Sequence, residues 1–269
     1  MRVAVIGHVE WIEFVRVDRV PAQGEIVHAL EAWAEAAGGG AVASAQLARL
    51  AGASTLFTAV GDDHFGALVA PELAEHGVRV ESALRPEPQR HGLTYLDSEG
   101  ERTITVIGER MGPRRADDLP WEELEETDGV YFVSGDAEAV RAARSARVLV
   151  ATARSLSALQ EAGVRLDALV RSGSDGGERY RRGDVDPPPH LEIATDGERG
   201  GTYSVDGGPE RSYEAAPLPG RRQDTYGAGD SFAAGLTFAL AQSLPPDEAV
   251  AFAARCGAEA LVRKGAHGS

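Results

Sequence analysis

The segment Asp224-Thr-Tyr-Gly-Ala-Gly-Asp230 sets a Gly-Ala-Gly run before Phe232, Leu236, Ala239 and Leu240, apolar residues at helical spacing. Small residues at a helix start let backbone N–H groups approach an anion, and the helix dipole favours negative charge there. Gly227, Ala228 and Gly229 are therefore a candidate anion hole for a phosphoryl group as charge builds on it. Asp230, on the first turn, would face whatever that nest holds. A carboxylate beside a transferring phosphoryl suits one task, accepting the proton of an attacking hydroxyl. Asp is also a preferred N-cap, so this pattern alone leaves Asp230 two readings, base or cap.

The elements that must hold this segment alternate along the chain. Val3 to Ile6 is an apolar run ending at Gly7, the pattern of a fully buried strand. Similar runs are expected to be strands at 55–60, 130–133, 148–151, 168–170 and 191–194, mostly with helical segments between them. Alternation of this kind predicts a parallel sheet covered by helices on both faces. Helices are expected at 41–50, after the glycines 38–40, and at 64–76, 230–242 and 246–263. Residues 171–189, rich in Gly, Arg, Asp and Pro, predict a mobile surface loop. Two stretches break the alternation. Residues 11–20 mix apolar and charged residues, and 93–107 read as a β-hairpin turning at Ser98-Glu-Gly. The segments 11–35 and 88–108 are expected to pair as a small β-lid.

The stretch Asp224-Thr-Tyr-Gly-Ala-Gly-Asp-Ser-Phe-Ala-Ala-Gly235 closely resembles the signature of the ribokinase-like (PfkB) carbohydrate kinases, D-T-x-G-A-G-D-x-F. Gly38-Gly-Gly-Ala-Val-Ala-Ser-Ala-Gln-Leu-Ala-Arg-Leu-Ala-Gly52 is similar to the family's N-terminal glycine signature. Val60-Gly-Asp-Asp-His-Phe-Gly66 and Glu75-His-Gly-Val78 look like its following helix and turn, Gly100-Glu-Arg-Thr-Ile104 like its lid hairpin, and Lys264-Gly-Ala266 like its C-terminal turn. Thr195-Asp-Gly-Glu-Arg-Gly200 resembles the turn that carries nucleotide phosphates. The resemblance implies one ribokinase-like domain over 1–269, a three-layer α/β/α sandwich with a mostly parallel sheet and a small β-sheet lid. It implies transfer of the ATP γ-phosphoryl to a hydroxyl of a sugar-like molecule, with Mg²⁺ bridging the phosphates. Asp230 would be the base, and Thr195, Gly197, Gly200, Asp224 and Thr225 would meet the nucleotide. Gly39, Gly40, Glu10, Glu13 and Arg102 would meet the acceptor. Oligomeric state is left open by the sequence, although a lid of this kind would offer an exposed edge through which a homodimer could pair.

Several positions depart from the family pattern. Val42 stands where the family places an Asn against the sugar, and Ile12 where it places an Asp, with Glu10 and Glu13 flanking. Either glutamate could bind substrate hydroxyls or be a solvated charge on a lid strand. The family's N-x-x-E motif maps to Ser172 and Asp175, which makes Asp175 the metal candidate through Mg-phosphate; Glu178 is a second candidate by spacing. Tyr226 replaces a second Thr. These departures motivate an alternative, a catalytically weak or inactive protein on this fold that binds nucleotide or metabolite in a regulatory role.

Other classes are excluded or weakened. A net charge of −15, from 27 basic and 42 acidic residues, argues against a nucleic-acid binder, and an anionic substrate would need a local cluster of positive charge. The single cysteine, Cys256, excludes an internal disulfide and reads as a buried structural thiol. The histidines show no metal-ligand spacing. Gly38-Gly-Gly-Ala-Val-Ala43 does not follow a buried strand as a dinucleotide fingerprint should, and Gly229-Asp-Ser-Phe-Ala233 lacks the last glycine of a nucleophile elbow. No signal sequence or membrane-length apolar run is present, so the expected location is cytoplasmic.

Overall fold

Four consecutive apolar residues at β1 (Val3–Ile6) are buried on both faces in a computed structural model, which describes residues 1–173 and 175–268. The chain continues through β2 (Glu10–Arg16), β3 (Glu31–Ala37), α1 (Gly38–Ala51), β4 (Ser54–Gly61), α2 (His64–Glu75) and β5 (Val78–Arg85). Next come β6 (His91–Leu96), β7 (Arg102–Ile107), β8 (Gly129–Phe132), α3 (Ala137–Ala143), β9 (Val148–Thr152) and α4 (Leu156–Ala162). The last third holds β10 (Ala168–Ser172), β11 (Leu191–Thr195), β12 (Gly201–Val205), β13 (Arg211–Tyr213), α5 (Ala228–Ala241) and α6 (Pro246–Ala260).

The large sheet has the order β13-β12-β11-β10-β9-β8-β1-β4-β5. It is parallel from β5 to β11, with β12 and β13 added antiparallel at one edge. Successive strand residues point to opposite faces, and both faces are covered. Val3 and Val5 pack with residues of α1, α2, α5 and α6. Ala4 and Ile6 pack with residues of α3 and α4 on the other side. This is the three-layer arrangement expected from the alternation of elements.

The second sheet has the order β3-β2-β6-β7. Its β2–β6 pairing is parallel and the outer two are antiparallel. Ile12, Phe14 and Leu96, with Ala37 at the end of β3, close over Val42 and Tyr226 of the main body. The outer strand β7 is exposed throughout, including Ile104, Val106 and Ile107.

Three boundaries differ from expectation. The glycines 38–40 form the first turn of α1 instead of a loop before it. A Cβ on Gly40 would lie 2.5 Å from the His8 carbonyl oxygen, so these glycines allow close packing. Helix α5 begins at Ala228, two residues before Asp230, and α6 ends at Ala260. The stretch expected as a surface loop after β10 carries buried anchors, since Glu178, Tyr180 and Val185 are all buried and the last two join the α3–α4 core.

Helices α5 and α6 cross where Gly235 meets Cys256. A Cβ on Gly235 would sit 2.7 Å from Cys256 Sγ and 2.8 Å from its Cβ. Burial pushes the thiol up to about 11, which fits a structural cysteine. Gly235→Ala is expected to lower stability by about 1–3 kcal/mol through overpacking, read as a lower denaturation midpoint. An unchanged or higher midpoint would show that the crossing has room.

Candidate active site

Helix α5 starts on Gly227, whose φ of +72° is a left-handed conformation that glycine adopts freely. A Cβ there would also lie 2.7 Å from Val42 Cγ1. The apolar residue in place of the expected amide thus packs directly under the nest. The first intrahelical bond runs from Ser231 N–H to the Gly227 carbonyl at 2.8 Å, and no side chain caps the helix. The backbone N–H groups of 228–230 therefore have no acceptor inside the helix. A Cβ on Gly229 would meet nothing within 4 Å, so this side of the turn faces open space. Asp230 is the third helical residue and is not the cap, which removes the capping reading.

The first turn of α1 abuts the Asp230 side chain. A Cβ on Gly39 would lie 3.0 Å from Asp230 Oδ1 and 2.7 Å from Val133 Cγ1. Gly38, at φ +82°, donates its N–H to the Tyr226 hydroxyl at 3.0 Å. That bond explains Tyr226: its ring meets Phe14 edge-on at 5.2 Å between centroids, and its hydroxyl ties the glycine turn to the segment before α5.

Burial pushes the Asp230 carboxyl up; Arg154 opposes that shift, Glu178 reinforces it, Arg102 opposes it and Glu10 adds to it. Arg154 is fixed by two carboxylates, donating from Nε to Glu178 at 2.6 Å and from Nη2 to Asp175 at 2.8 Å. Glu178 also accepts the Ser172 N–H at 2.5 Å. The next residue, Ser155, donates from its hydroxyl to the Val133 carbonyl at 2.5 Å. Arg154 is thereby set beside the residue that flanks Gly39.

The remaining expected residues take separate places. Asp224 is fully buried and accepts N–H bonds from Tyr226 at 2.7 Å and Gly265 at 3.1 Å, so both its oxygens tie loops together. Arg102 donates to the Thr225 carbonyl and stands over the Tyr226 ring at 5.6 Å, joining the small sheet to the segment before α5. Thr195, Gly197 and Gly200 form the tight turn from β11 to β12, closed by Asp196 N–H to the Gly200 carbonyl at 2.7 Å. A Cβ on Gly200, at φ +78°, would lie 2.1 Å from the Tyr213 carbonyl oxygen.

Glu10 is buried on the inner side of the small sheet, with Oε1 2.8 Å from Arg90 Nε and 3.5 Å from His8 Nε2. Glu13 is exposed on the opposite face, away from Ile12 and Phe14. The two glutamates are three apart in a strand and must point oppositely. Asp175 is exposed, accepts the Gly177 N–H at 2.8 Å and pairs with Arg154; the buried carboxylate of this stretch is Glu178.

Sequence spacing also missed a group of histidines. Glu72, His76 and His267 offer ligand atoms within 4.8 Å of one another, because the C-terminal turn folds back on α2. His267 Nε2 lies 2.6 Å from the Ala36 carbonyl oxygen. Among the described residues no helix is long and apolar enough to cross a membrane.

Known proteins resemble the chain along its length. The sequence model described as pfkB family carbohydrate kinase matches residues 1–172 and 191–269. An ATP-dependent ribose-1-phosphate kinase of Halopiger xanaduensis is 28% identical over 301 residues, covering 99% of this chain and 94% of that protein. Arabidopsis thaliana ribokinase, solved with ribose and ATP, superposes at a TM-score of 0.76 with 20% identity, covering 98% of this chain and 93% of the other. Phosphofructokinase-2 of Escherichia coli, solved with substrates and products, gives 0.75 at 19% identity, over 97% and 93%.

The electrostatics give a direct expectation for Asp230. Its carboxyl should titrate above the ordinary carboxylate range, and Glu178→Gln should lower its pKa by removing a neighbouring negative charge. Carboxyl ¹³C shifts followed against pH, assigned by loss of the signal in Asp230→Asn, measure both. An Asp230 pKa in the ordinary range, or one indifferent to Glu178→Gln, contradicts this electrostatic picture.

Proposed function

The chain belongs to the pfkB carbohydrate kinase family, and from that membership we propose that it transfers the ATP γ-phosphoryl to a hydroxyl of a sugar or sugar phosphate, with Asp230 as general base. The observation that carries this reading is a half-buried carboxylate of raised pKa on the uncapped first turn of α5, set against the glycine turn of α1.

The acceptor hydroxyl lies against Asp230 and gives up its proton there as its oxygen attacks the γ-phosphorus. The raised pKa keeps the carboxylate basic enough to take that proton. Negative charge on the transferring group is met by the N–H groups of 228–230 and by the positive end of the α5 dipole. These groups are fixed before reaction by Gly227 and Val42, so little reorganisation is needed. The β11–β12 turn with Thr195, Gly197 and Gly200 holds the nucleotide side. Arg102 closes the small sheet over the segment as a lid. Mg²⁺ would arrive on the ATP phosphates and neutralise part of their charge. The carboxylates available to it are Glu178 and Asp175, both already engaged by Arg154, which fits a metal held mainly by phosphate and water.

Asp230→Asn is expected to lower kcat by about 10²–10⁴-fold while nucleotide affinity stays within a few-fold. ADP formation with a panel of sugars and sugar phosphates, beside nucleotide titration of both proteins, measures this. In the wild type, kcat falls as pH drops through the raised Asp230 pKa, because the base must be ionised. A variant that keeps the wild-type rate removes Asp230 from the chemistry.

A further inference from the structure

We propose that the acceptor carries a phosphate of its own, held by Arg90, Arg110 and Arg154 while its hydroxyl lies at Asp230. This rests on the kinase reading above and names the substrate class of that same site.

The chain's net charge is −15, yet Arg90, Arg110 and Arg154, from separate parts of the sequence, all act on the buried His8, and Arg110 and Arg154 also interact with Asp230. Arg90 is placed by its neighbour Gln89, which is fully buried and clamps two elements. Gln89 Nε2 donates to the Val9 carbonyl at 2.8 Å, and its Oε1 accepts the Gly61 N–H at 3.0 Å. Asp63, the cap of α2, accepts the Gln89 N–H at 2.9 Å. Arg110 follows the turn at Gly108, where a Cβ would lie 3.5 Å from Arg90 Cα, so the turn rests on Arg90. Arg154 is held by Glu178 and by the bond of Ser155 to Val133. The glycine turn of α1 joins these positions: a Cβ on Gly38 would lie 3.1 Å from Glu10 Cγ, and one on Gly39 3.0 Å from Asp230 Oδ1.

Charge pairing within the group is incomplete. Arg90 has Glu10, and Arg154 has Glu178 and Asp175. Arg110 has no ion-pair partner among the described residues. Partial burial, then Arg90, holds its guanidinium below the usual range, with Glu10 opposing and Arg154 adding to the effect. His8 is kept neutral by burial and then by Arg110, Arg90 and Arg154 in turn, which leaves an imidazole as a neutral hydrogen-bonding group in the same place. Arg110 is thus the charge left over, and a guanidinium held beside like charges in a partly desolvated place favours an anion next to it. A phosphate supplies about two negative charges and three acceptor oxygens, which suits several guanidinium forks better than a neutral sugar does.

The reaction balances as a single displacement. The acceptor hydroxyl oxygen bonds to the γ-phosphorus, its proton passes to Asp230, and the bond to the β-phosphate oxygen breaks with its electron pair leaving on ADP. The product bears two phosphates, the original at the arginines and the new one at the α5 nest.

ADP release should be measured with pentose and hexose monophosphates, their parent sugars and the matching sugar acids, for wild type and Arg110→Gln. Arg110 has no internal partner to strand, and thermal melting checks that the variant is folded. At least one sugar phosphate should exceed its parent sugar in kcat/KM by about 100-fold or more. Arg110→Gln should cost about 10–100-fold on that substrate, the range of a lost charge-assisted contact, mainly as a rise in KM. A parent sugar or a sugar acid used as well as the phosphate overturns the proposal, as does an unchanged KM in Arg110→Gln. If no acceptor releases ADP, the kinase reading fails. Calorimetric titration of sugar phosphates then decides the arginine site by itself: binding lost in Arg110→Gln supports it, and no binding to wild type overturns it.

Discussion

Two helix starts, those of α1 and α5, approach each other closely enough that a methyl group at Gly39 or Gly227 would collide with the opposite side. This approach sets the whole cleft. It brings Asp230 against the α1 backbone, strips part of its water and raises its carboxyl. It also leaves the N–H groups of 228–230 aimed outward, because the space beside Gly229 is open. Both turns need residues without a Cβ for different reasons. Gly227 needs a left-handed φ, whereas Gly39 and Gly40 need room. A substitution at either would move the carboxylate or the nest, and the two act only as a pair.

The approach is held by ties from distant parts of the chain. Asp224 binds the backbone of Tyr226 and of Gly265, linking the nest to the C-terminal turn. Glu35 of β3 accepts the Ala266 N–H at 2.6 Å, linking that turn to the small sheet. Burial raises both carboxyls, and each is opposed by the N–H bonds it accepts. Tyr226 then joins the nest to α1 and to Phe14. The small sheet is therefore coupled to the chemistry through backbone hydrogen bonds as well as through its apolar inner face. Its movement over the cleft would be felt at the proposed base.

Local pattern made some of this legible. The runs at β1, β8 and β9 show as strands because both their faces are apolar, and the Gly-Ala-Gly before α5 marks a helix start with small residues. The glycines 38–40 were harder to place, since a Gly run signals a loop in isolation and a tight helix contact only in context. Strand parity separates the two glutamates: Glu10 and Glu13, three apart, cannot share a face. Glu178 lies in the stretch 173–190, outside the family match, where the spacing Asp175-Gly-Gly-Glu178 is the one signal for it and says nothing of its bond to Arg154. The arginine group was out of reach for another reason. Arg90, Arg110 and Arg154 follow β5, β7 and β9, strands of two different sheets, and only the tertiary fold lets all three act on His8.

The proposed role of Asp230 as base, not nucleophile, requires the transfer to be a single in-line displacement. The most direct measurement uses ATP made chiral at its γ-phosphorus by oxygen isotopes, with the configuration of the phosphorylated product determined after turnover. Inversion at phosphorus is the predicted result. Retention would mean that the phosphoryl group rests on the protein between two displacements, and would contradict the role given to Asp230.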